Sequence, residues 1–236
     1  DIQRVATGFY KELWKKRRVS QRVRQQMIER IKKKLTEIEK EELDKILTME
    51  EMKKTTDMMK KGKSTGIDGI PAEFYQKFEF VTEWLYELFG EMIERGEMTE
   101  TMKMAIVKIL FKKQDRKRIE NYRPISLLTA DYKILAKILT ERLKKVLTRL
   151  IGAEQQGFIP GGDIAGNLLL VKEIIAYCDE EGLEGAMIMM DFMKAYGRVD
   201  RDTMYETMKA MNIGEGFGNM VRVLYAGSTA RVVVNG

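Results

Sequence analysis

The sequence predicts an α+β fold, in which a helix-rich chain carries a small antiparallel sheet and is preceded by a long N-terminal helical segment. Two observations predict it. Apolar residues recur at helical spacing along most of the 236 residues, whereas the runs with strand composition are few and short. Loops at 61–71 and 157–162, which contain several glycines and a proline each, separate the predicted elements.

The N-terminal segment 9–47 contains no glycine or proline, which favours an extended helical region that is exposed over much of its surface. One helical face carries the apolar residues Met27, Ile31, Leu35 and Ile38. Thr48 is the next candidate N-cap, because Glu51 stands three residues later and can complete a capping box. We expect that helix to continue to about Lys61.

The remaining elements follow the same patterns. Pro71 is expected at the first position of a short helix, and longer helices are expected at about 80–95, 130–150, 164–180, 201–211 and 216–226. The first of these should turn Trp84, Leu85, Leu88, Phe89 and Met92 toward a core. Strands are expected at 104–111, 121–128, 186–192 and 229–234. The pair Asn235-Gly236 is typical of a hairpin turn, which favours a fragment.

Composition narrows the chemistry. The chain has no histidine and a single cysteine, Cys178. These counts exclude Ser-His-Asp and Cys-His catalysis, zinc sites that need histidine, and internal disulfides. No apolar run approaches a membrane span and no signal peptide pattern opens the chain. A reducing compartment, nuclear or cytoplasmic, is therefore expected rather than secretion.

Positive charge is concentrated in two segments of a chain whose net charge is +6. Residues 1–34 hold twelve Lys and Arg against three acids, and residues 103–118 hold seven against Asp115. Such clusters favour a polyanion partner, although solvated helix faces would have the same composition. The candidates for contacts with a nucleic-acid backbone are Lys15, Lys16, Arg17, Arg18, Arg22 and Arg24.

Asp191 ends the apolar run 186–190 and is followed five residues later by Tyr196. A carboxylate at the end of a buried strand costs folding energy unless it is paired, and a divalent metal ion is one suitable partner. A turn-forming or solvated aspartate, and a core tyrosine, would fit the same spacing. A P-loop reading of Gly62-Lys63-Ser64 fails, because Asp57 stands where the upstream glycine is required.

Four segments taken in order carry a family resemblance. They are Gly62 to Phe74 (GKSTGIDGIPAEF), Asn121 to Leu128 (NYRPISLL), Gln156 to Gly161 (QGFIPG) and Asp191 to Tyr196 (DFMKAY). Together they resemble the reverse transcriptase of non-LTR (LINE-type) retrotransposons over about 48–236. The resemblance implies the fingers and first half of the palm of a right-hand polymerase. The expected domains are a basic helical extension at 1–47, a fingers-type region at 48–182 and a partial palm at 183–236.

The resemblance also implies roles for individual residues. Asp191, with the backbone carbonyl of Phe192, would bind Mg²⁺ or Mn²⁺ in a two-metal nucleotidyl transfer. Tyr196 would lie under the incoming sugar, and Arg123 with Lys113 or Lys112 would grip the triphosphate of the nucleotide. The segment Gln156, Gly157 and Phe158 would support the template and the nucleotide pocket. Expected ligands are an RNA template, a DNA primer and a dNTP, with no membrane.

The sequence departs from the family pattern in two ways. It ends before the paired-aspartate turn, so the expected partner segments are the missing C-terminal palm and thumb of a parent polyprotein, and the fragment alone is expected to be inactive. Gly162, Gly166, Gly197 and Met193 stand where charged residues are usual. The alternatives are a non-catalytic RNA- or DNA-binding fragment, a decayed retroelement product and a maturase-like splicing factor.

Overall fold

The computed structural model describes residues 2–16 and 19–234. Ten α-helices and three strands are found within these residues. The helices are α1 (Ile2–Leu13), α2 (Gln21–Glu29), α3 (Glu37–Asp44), α4 (Met49–Asp57), α5 (Ala72–Lys77), α6 (Glu79–Arg95), α7 (Ala130–Leu150), α8 (Ile164–Glu180), α9 (Arg201–Ala210) and α10 (Glu215–Tyr225). The strands are β1 (Met104–Phe111), β2 (Tyr122–Leu127) and β3 (Thr229–Val233).

Most predicted elements are confirmed. The helices predicted from about residue 80 onward and the strands predicted at 104–111, 121–128 and 229–234 match to within one residue at each end. The predicted α+β class is therefore confirmed. No helix in the described part of the chain is both long enough and apolar enough to cross a membrane.

The sheet differs from the prediction, because it is mixed and not antiparallel. Its order is β2-β1-β3. β2 runs antiparallel to β1, with Leu110 opposite Arg123, whereas β3 runs parallel to β1, with Val107 opposite Val232. β2 and β3 are the two edges of this sheet, and Pro124 lies on β2, where a residue without an N–H group is tolerated. A parallel pair needs a long crossover, and here the helices α7 to α10 provide it.

The long N-terminal helix was predicted wrongly, because α1, α2 and α3 divide the segment. Residues 31–36 are not helical; the amide of Leu35 donates to the carbonyl of Met211 at 2.9 Å instead. Thr36 then starts α3 through a capping box with Glu39. Only Leu35 of the predicted apolar face is buried, and Ile38 is exposed. The capping box at Thr48 is confirmed, but α4 ends at Asp57 and not near Lys61.

The strand predicted at 186–192 is also wrong. Residues 183–192 have no regular structure in this fold, and the side chains of Ile188, Met189 and Met190 are more than four-fifths exposed. A strand requires a neighbour for its backbone hydrogen bonds, and this segment joins neither open edge of the sheet. Its apolar composition alone therefore does not make it a strand.

Two apolar clusters stabilise the fold. The larger one contains residues of the five helices from α3 through α7 and of α10. Phe89, Ile134 and Phe217 are among its fully buried residues. The smaller one places α1 on the sheet through Ala6, Tyr10, Leu13, Val107 and Val232. In α6, Leu85, Phe89 and Met92 face the core as predicted and Leu88 packs against it, whereas Trp84 is 65% exposed.

Arg142 of α7 is buried and connects three helices. Its guanidinium donates to both carboxylate oxygens of Glu51, at 2.8 and 2.6 Å, and to the carbonyls of Leu43, Lys45 and Ile46. Glu51 in turn accepts from the amide of Thr48 at 3.1 Å. The hydrogen bond from Arg142 is the main cause that lowers the pKa of the Glu51 carboxyl, and the opposing effect of burial is smaller.

Gly66, in the loop 61–71, lies against the start of α7. A Cβ at this position would lie 2.4 Å from the amide nitrogen of Thr129 and 2.7 Å from the carbonyl carbon of Leu128. Since both are backbone atoms, they cannot move aside as a flexible side chain would. Only glycine therefore fits this position, and the loop serves to place one part of the fold against another.

We expect Arg142→Met to lower the free energy of unfolding by about 3–5 kcal/mol, because the substitution leaves Glu51 without its buried partner. Urea unfolding followed by circular dichroism measures it. Arg149→Met on the same helix is the control, since Arg149 is exposed and its ion pair with Glu39 should contribute at most about 1 kcal/mol. Equal losses in the two variants would contradict the role of Arg142.

The stability that the pair of Arg142 and Glu51 contributes should depend on pH. Because the pKa of Glu51 is lowered in the folded state, its stabilising contribution is complete above the unfolded value of 4.5 and is lost as the pH falls through the folded value. The stability difference between the wild type and Arg142→Met should therefore shrink below about pH 4.5. A stability difference that stays constant down to pH 3 would contradict this role of the Glu51 carboxylate.

We expect Gly66→Ala to destabilise the protein by about 1–3 kcal/mol, because the added methyl group overlaps the backbone of Leu128 and Thr129, directly before α7. Gly90→Ala is the matched control, since Gly90 lies within α6 and a Cβ there would meet no atom within 4 Å. That control should stabilise the protein by about 0.5–1 kcal/mol. Thermal or urea unfolding of both variants measures the contrast, and a neutral Gly66→Ala would contradict it.

Candidate functional site

A cleft of about 740 Å³ beside β2, named the site cleft here, brings five of the predicted site residues together. Lys112 and Arg123 line it from the hairpin that joins β1 and β2. Asp191, Phe192 and Tyr196 line it from the segment between α8 and α9. Lys112 and Arg123 therefore share one cavity with the carboxylate of Asp191 and the rings of Phe192 and Tyr196. The lining of this cavity also includes a second carboxylate and a third cation, those of Glu120 and Lys194, and two further aromatic rings, those of Trp14 and Tyr122.

The hairpin positions the two cations. β1 and β2 are in register with Phe111 opposite Tyr122, and the amide of Lys112 donates to the carbonyl of Asn121 at 2.9 Å. Both Lys112 and Arg123 are exposed, and neither forms an ion pair within the described residues. Their charges are therefore available to an anion that enters the cleft, and the guanidinium of Arg123 can bind two phosphate oxygens at once.

Lys113 was predicted as an alternative to Lys112. It is exposed in the turn that follows β1, and it does not line the site cleft. Lys112 is therefore the better placed of the two for a contact with an anion in the cleft.

Asp191, Phe192 and Tyr196 are all exposed at the cleft, the two rings by more than four-fifths. The carboxylate of Asp191 has no hydrogen bond or ion pair within the described residues. The ring of Tyr196 meets that of Phe158 edge to face, with the centroids 6.2 Å apart. This segment thus presents a free carboxylate and aromatic surface to the cavity.

Lys194 attaches this segment to the fold, a role that the sequence did not suggest. Its ammonium group donates to the carbonyl of Tyr122 at 3.2 Å and lies over the rings of Phe9 and Tyr10, 5.1 and 5.6 Å from their centroids. Burial is the main cause that lowers the pKa of this ammonium group. Its backbone is left-handed, at φ 54°, which turns the chain between Asp191 and Tyr196. Residues 191–197 are therefore held by α1 and β2.

Gln156, Gly157 and Phe158 lie outside the site cleft. The side chain of Gln156 accepts from the amide of Asp163 at 2.9 Å and donates to the carbonyl of Ala153, so it closes the loop that precedes α8. Phe158 alone reaches the site, through its contact with Tyr196. Gly162 belongs to the same loop: a Cβ there would lie 2.2 Å from the carbonyl oxygen of Gln156. Glycine at 162 thus has a packing reason.

The predicted N-terminal cations differ in their exposure and in whether they form ion pairs within the fold. Arg24 is mostly buried and pairs with Asp200 at 3.2 Å and Glu206 at 2.9 Å, so it joins α2 to α9. Lys16 pairs with Asp202 at 2.6 Å, Lys15 pairs with Glu12 at 3.5 Å, and Arg22 is exposed. Arg17 and Arg18 lie outside the described residues. Among the described cations, Arg24 is therefore used within the fold, whereas Lys15, Lys16 and Arg22 remain on the surface.

Asp191 does not meet the carboxylates that a metal centre needs. Among residues 2–16 and 19–234, no group of three or more Asp, Glu or Cys side chains could hold a metal ion. Asp191 can supply one carboxylate and Phe192 one carbonyl, which is an incomplete set for two Mg²⁺ ions. Catalysis by two metal ions therefore does not follow from these residues alone.

The chain is similar to a known protein family and to proteins of transposable elements. A family model described as reverse transcriptase (RNA-dependent DNA polymerase) matches residues 111–235, more than half of the chain. The chain is 33% identical over 202 residues to the transposon TX1 uncharacterized 149 kDa protein of Xenopus laevis, covering 85% of this chain and 15% of that protein.

A second relative is more distant. The chain is 24% identical over 164 residues to the retrovirus-related Pol polyprotein from type-2 retrotransposable element R2DM of Drosophila melanogaster, covering 70% of this chain and 15% of that protein. The chain thus spans about 15% of the length of both curated relatives. The range 111–235, which the family model matches, includes Lys112, Arg123, Asp191 and Tyr196.

We expect Lys194→Met to loosen the segment 191–197, because the substitution removes the hydrogen bond to Tyr122 and the contact with two rings while keeping most of the side-chain volume. Amide hydrogen exchange of peptides that cover 191–198 should rise by about tenfold relative to the wild type. Lys209→Met is the control, since Lys209 is an exposed lysine on α9. Unchanged exchange in Lys194→Met would show that this lysine does not hold the segment.

Proposed function

Because this chain belongs to the reverse transcriptase family, in agreement with the resemblance to non-LTR retrotransposon enzymes, we propose that it forms the nucleotide-binding part of an RNA-directed DNA polymerase. Its ligands would be a dNTP, an RNA template and a DNA primer. The observation that supports this proposal is the site cleft, where Arg123 and Lys112 share a cavity with Asp191 and Tyr196.

The two cations would bind the triphosphate. Arg123 offers a planar fork for two phosphate oxygens and Lys112 offers a point charge, and neither has to leave an internal partner first. Tyr196 lies on the other wall of the cavity, where its ring can bear against the sugar. The nucleotide would therefore be held at both ends by groups that the hairpin and the 191–197 segment position independently.

The set of groups that would bind a metal ion is the less complete part of the site. A divalent ion would neutralise phosphate charge and favour attack by a primer hydroxyl. In the site cleft, the carboxylate of Asp191 and the carbonyl of Phe192 would bind one, and the carboxylate of Glu120 lines the same cavity. Because the described residues hold no group of three metal-ligating side chains, we propose that residues 1–236 bind nucleotide and nucleic acid without extending a primer.

Binding to the nucleic-acid backbone would use cations that remain exposed. The turn after β1 carries Lys112, Lys113, Arg116, Lys117 and Arg118, all of them exposed. Phosphate contacts release counterions, so affinity for single-stranded RNA should fall steeply with salt. This charge also favours the second candidate function, a non-catalytic RNA-binding module, for which the site cleft would have no role. A reducing compartment remains our proposal for the location of the protein.

We expect Arg123→Gln to weaken dATP binding by at least tenfold, because the triphosphate loses its charged fork. Equilibrium dialysis with labelled dATP and Mg²⁺ measures it. Arg95→Gln is the control, since Arg95 is exposed at the end of α6. Binding of an RNA oligonucleotide is followed in parallel between 50 and 300 mM salt.

The outcomes separate the two candidates. Loss of dATP binding in Arg123→Gln alone supports the polymerase site, whereas salt-sensitive RNA binding without any dATP binding supports the non-catalytic module. Primer extension on an RNA template by residues 1–236 should be absent. Measurable incorporation that disappears in Asp191→Ala would overturn the proposed inactivity.

A further inference from the structure

Trp14 stands between two cavities of the molecule. It directly follows α1, and it lines the site cleft together with Arg123, Tyr196 and Gly197. It also lines a second cleft, of about 530 Å³, between the end of α1 and the helices α9 and α10. Trp14 is 38% exposed, and contact of its large, mostly apolar ring with water is unfavourable.

The indole is held rigidly. Its ring stacks on that of Tyr10, with the centroids 5.1 Å apart and the planes at 29°. Tyr10 is fully buried under the sheet, and its hydroxyl donates to the carbonyl of Tyr122 at 3.5 Å. The amide of Trp14 donates to the carbonyl of Tyr10 at 2.9 Å. The position of the indole at the cleft is therefore set by the core and not by a flexible tail.

Gly197 makes room for it. A Cβ at position 197 would lie 3.1 Å from Nε1 and 3.4 Å from Cδ1 of Trp14, so a side chain there would press on the indole. Gly197 immediately follows Tyr196, and Lys194 holds this segment against the ring of Tyr10. One buried tyrosine thus supports both the segment that carries Tyr196 and the indole that faces the same cavity.

We propose that Trp14 is a stacking surface for a nucleobase bound in the site cleft. This inference rests on the proposed function. The hairpin would contact the phosphates, and Trp14, directly after α1, would add a contact with the base that does not depend on which base it is. An aromatic ring with a fixed position stacks on any base, because every base has a π-face. The base could belong to the incoming nucleotide or to single-stranded template, and both have the same chemistry.

The experiment uses tryptophan fluorescence. The chain has two tryptophans, and Trp84 is 65% exposed on α6, where it meets the ring of Phe80 edge to face. Trp84→Phe keeps an aromatic ring there and leaves Trp14 as the single tryptophan. This variant is titrated with dATP, with inorganic triphosphate and with an oligo(rA) of single-stranded RNA, and binding of each is measured separately by dialysis.

Stacking predicts that dATP or oligo(rA) quenches Trp14 with the affinity found by dialysis, whereas inorganic triphosphate binds without quenching. Quenching by dATP assigns the base to the incoming nucleotide, and quenching by oligo(rA) alone assigns it to the template. In addition, Trp14→Ala should weaken binding of the quenching ligand by about tenfold, and Trp14→Phe should largely restore it.

The failures are distinguishable. If dATP binds and inorganic triphosphate displaces it, but neither dATP nor oligo(rA) alters the fluorescence of Trp14, the stacking role is wrong and the proposed nucleotide site stands. If neither dATP nor triphosphate nor oligo(rA) binds, the proposed function fails and this inference fails with it.

Discussion

The guanidinium of Arg142 is the interaction on which the larger half of the fold depends. It lies among the buried residues of α7, and it meets three backbone carbonyls and one carboxylate there. An unpaired charge at that depth would cost several kcal/mol, so the turn between α3 and α4 must take the one conformation that presents those acceptors. The capping box of α4 supplies the carboxylate, and local helix chemistry thereby determines long-range packing.

The site depends on a second, smaller arrangement. α1 lies on the sheet through Tyr10, and the carbonyl of Tyr122 receives both the hydroxyl of Tyr10 and the ammonium of Lys194. Because Tyr122 precedes Arg123, the same backbone that orients the cation also anchors the segment that carries Asp191. The two walls of the site cleft are therefore coupled through one peptide unit, although they are far apart in the chain.

Local patterns in the sequence predicted what depends on local physics. Helical spacing located α6 to α10, and three residues that the motifs singled out, Arg123, Asp191 and Tyr196, line one cleft in the structure. Long-range pairing was not predictable: nothing near Leu35 indicates that its amide pairs with Met211, and nothing in 186–192 indicates that no strand lies beside it. Roles that arise from packing, those of Trp14 and Lys194, were also missed, although Lys194 lies within a recognised motif.

The exposed segment before Asp191 has a chemical consequence for handling the protein. Met187, Met189, Met190 and Met193 are 57%, 89%, 90% and 63% exposed, whereas Met52 and Met102 are almost wholly buried. Peroxide reaches accessible thioethers first, so these four would become sulfoxides while the core stays reduced. Each sulfoxide adds a polar, hydrogen-bonding oxygen to the segment that carries Asp191 into the cleft. The oxidation state of a preparation would thus alter the surface around Asp191 before it altered the fold.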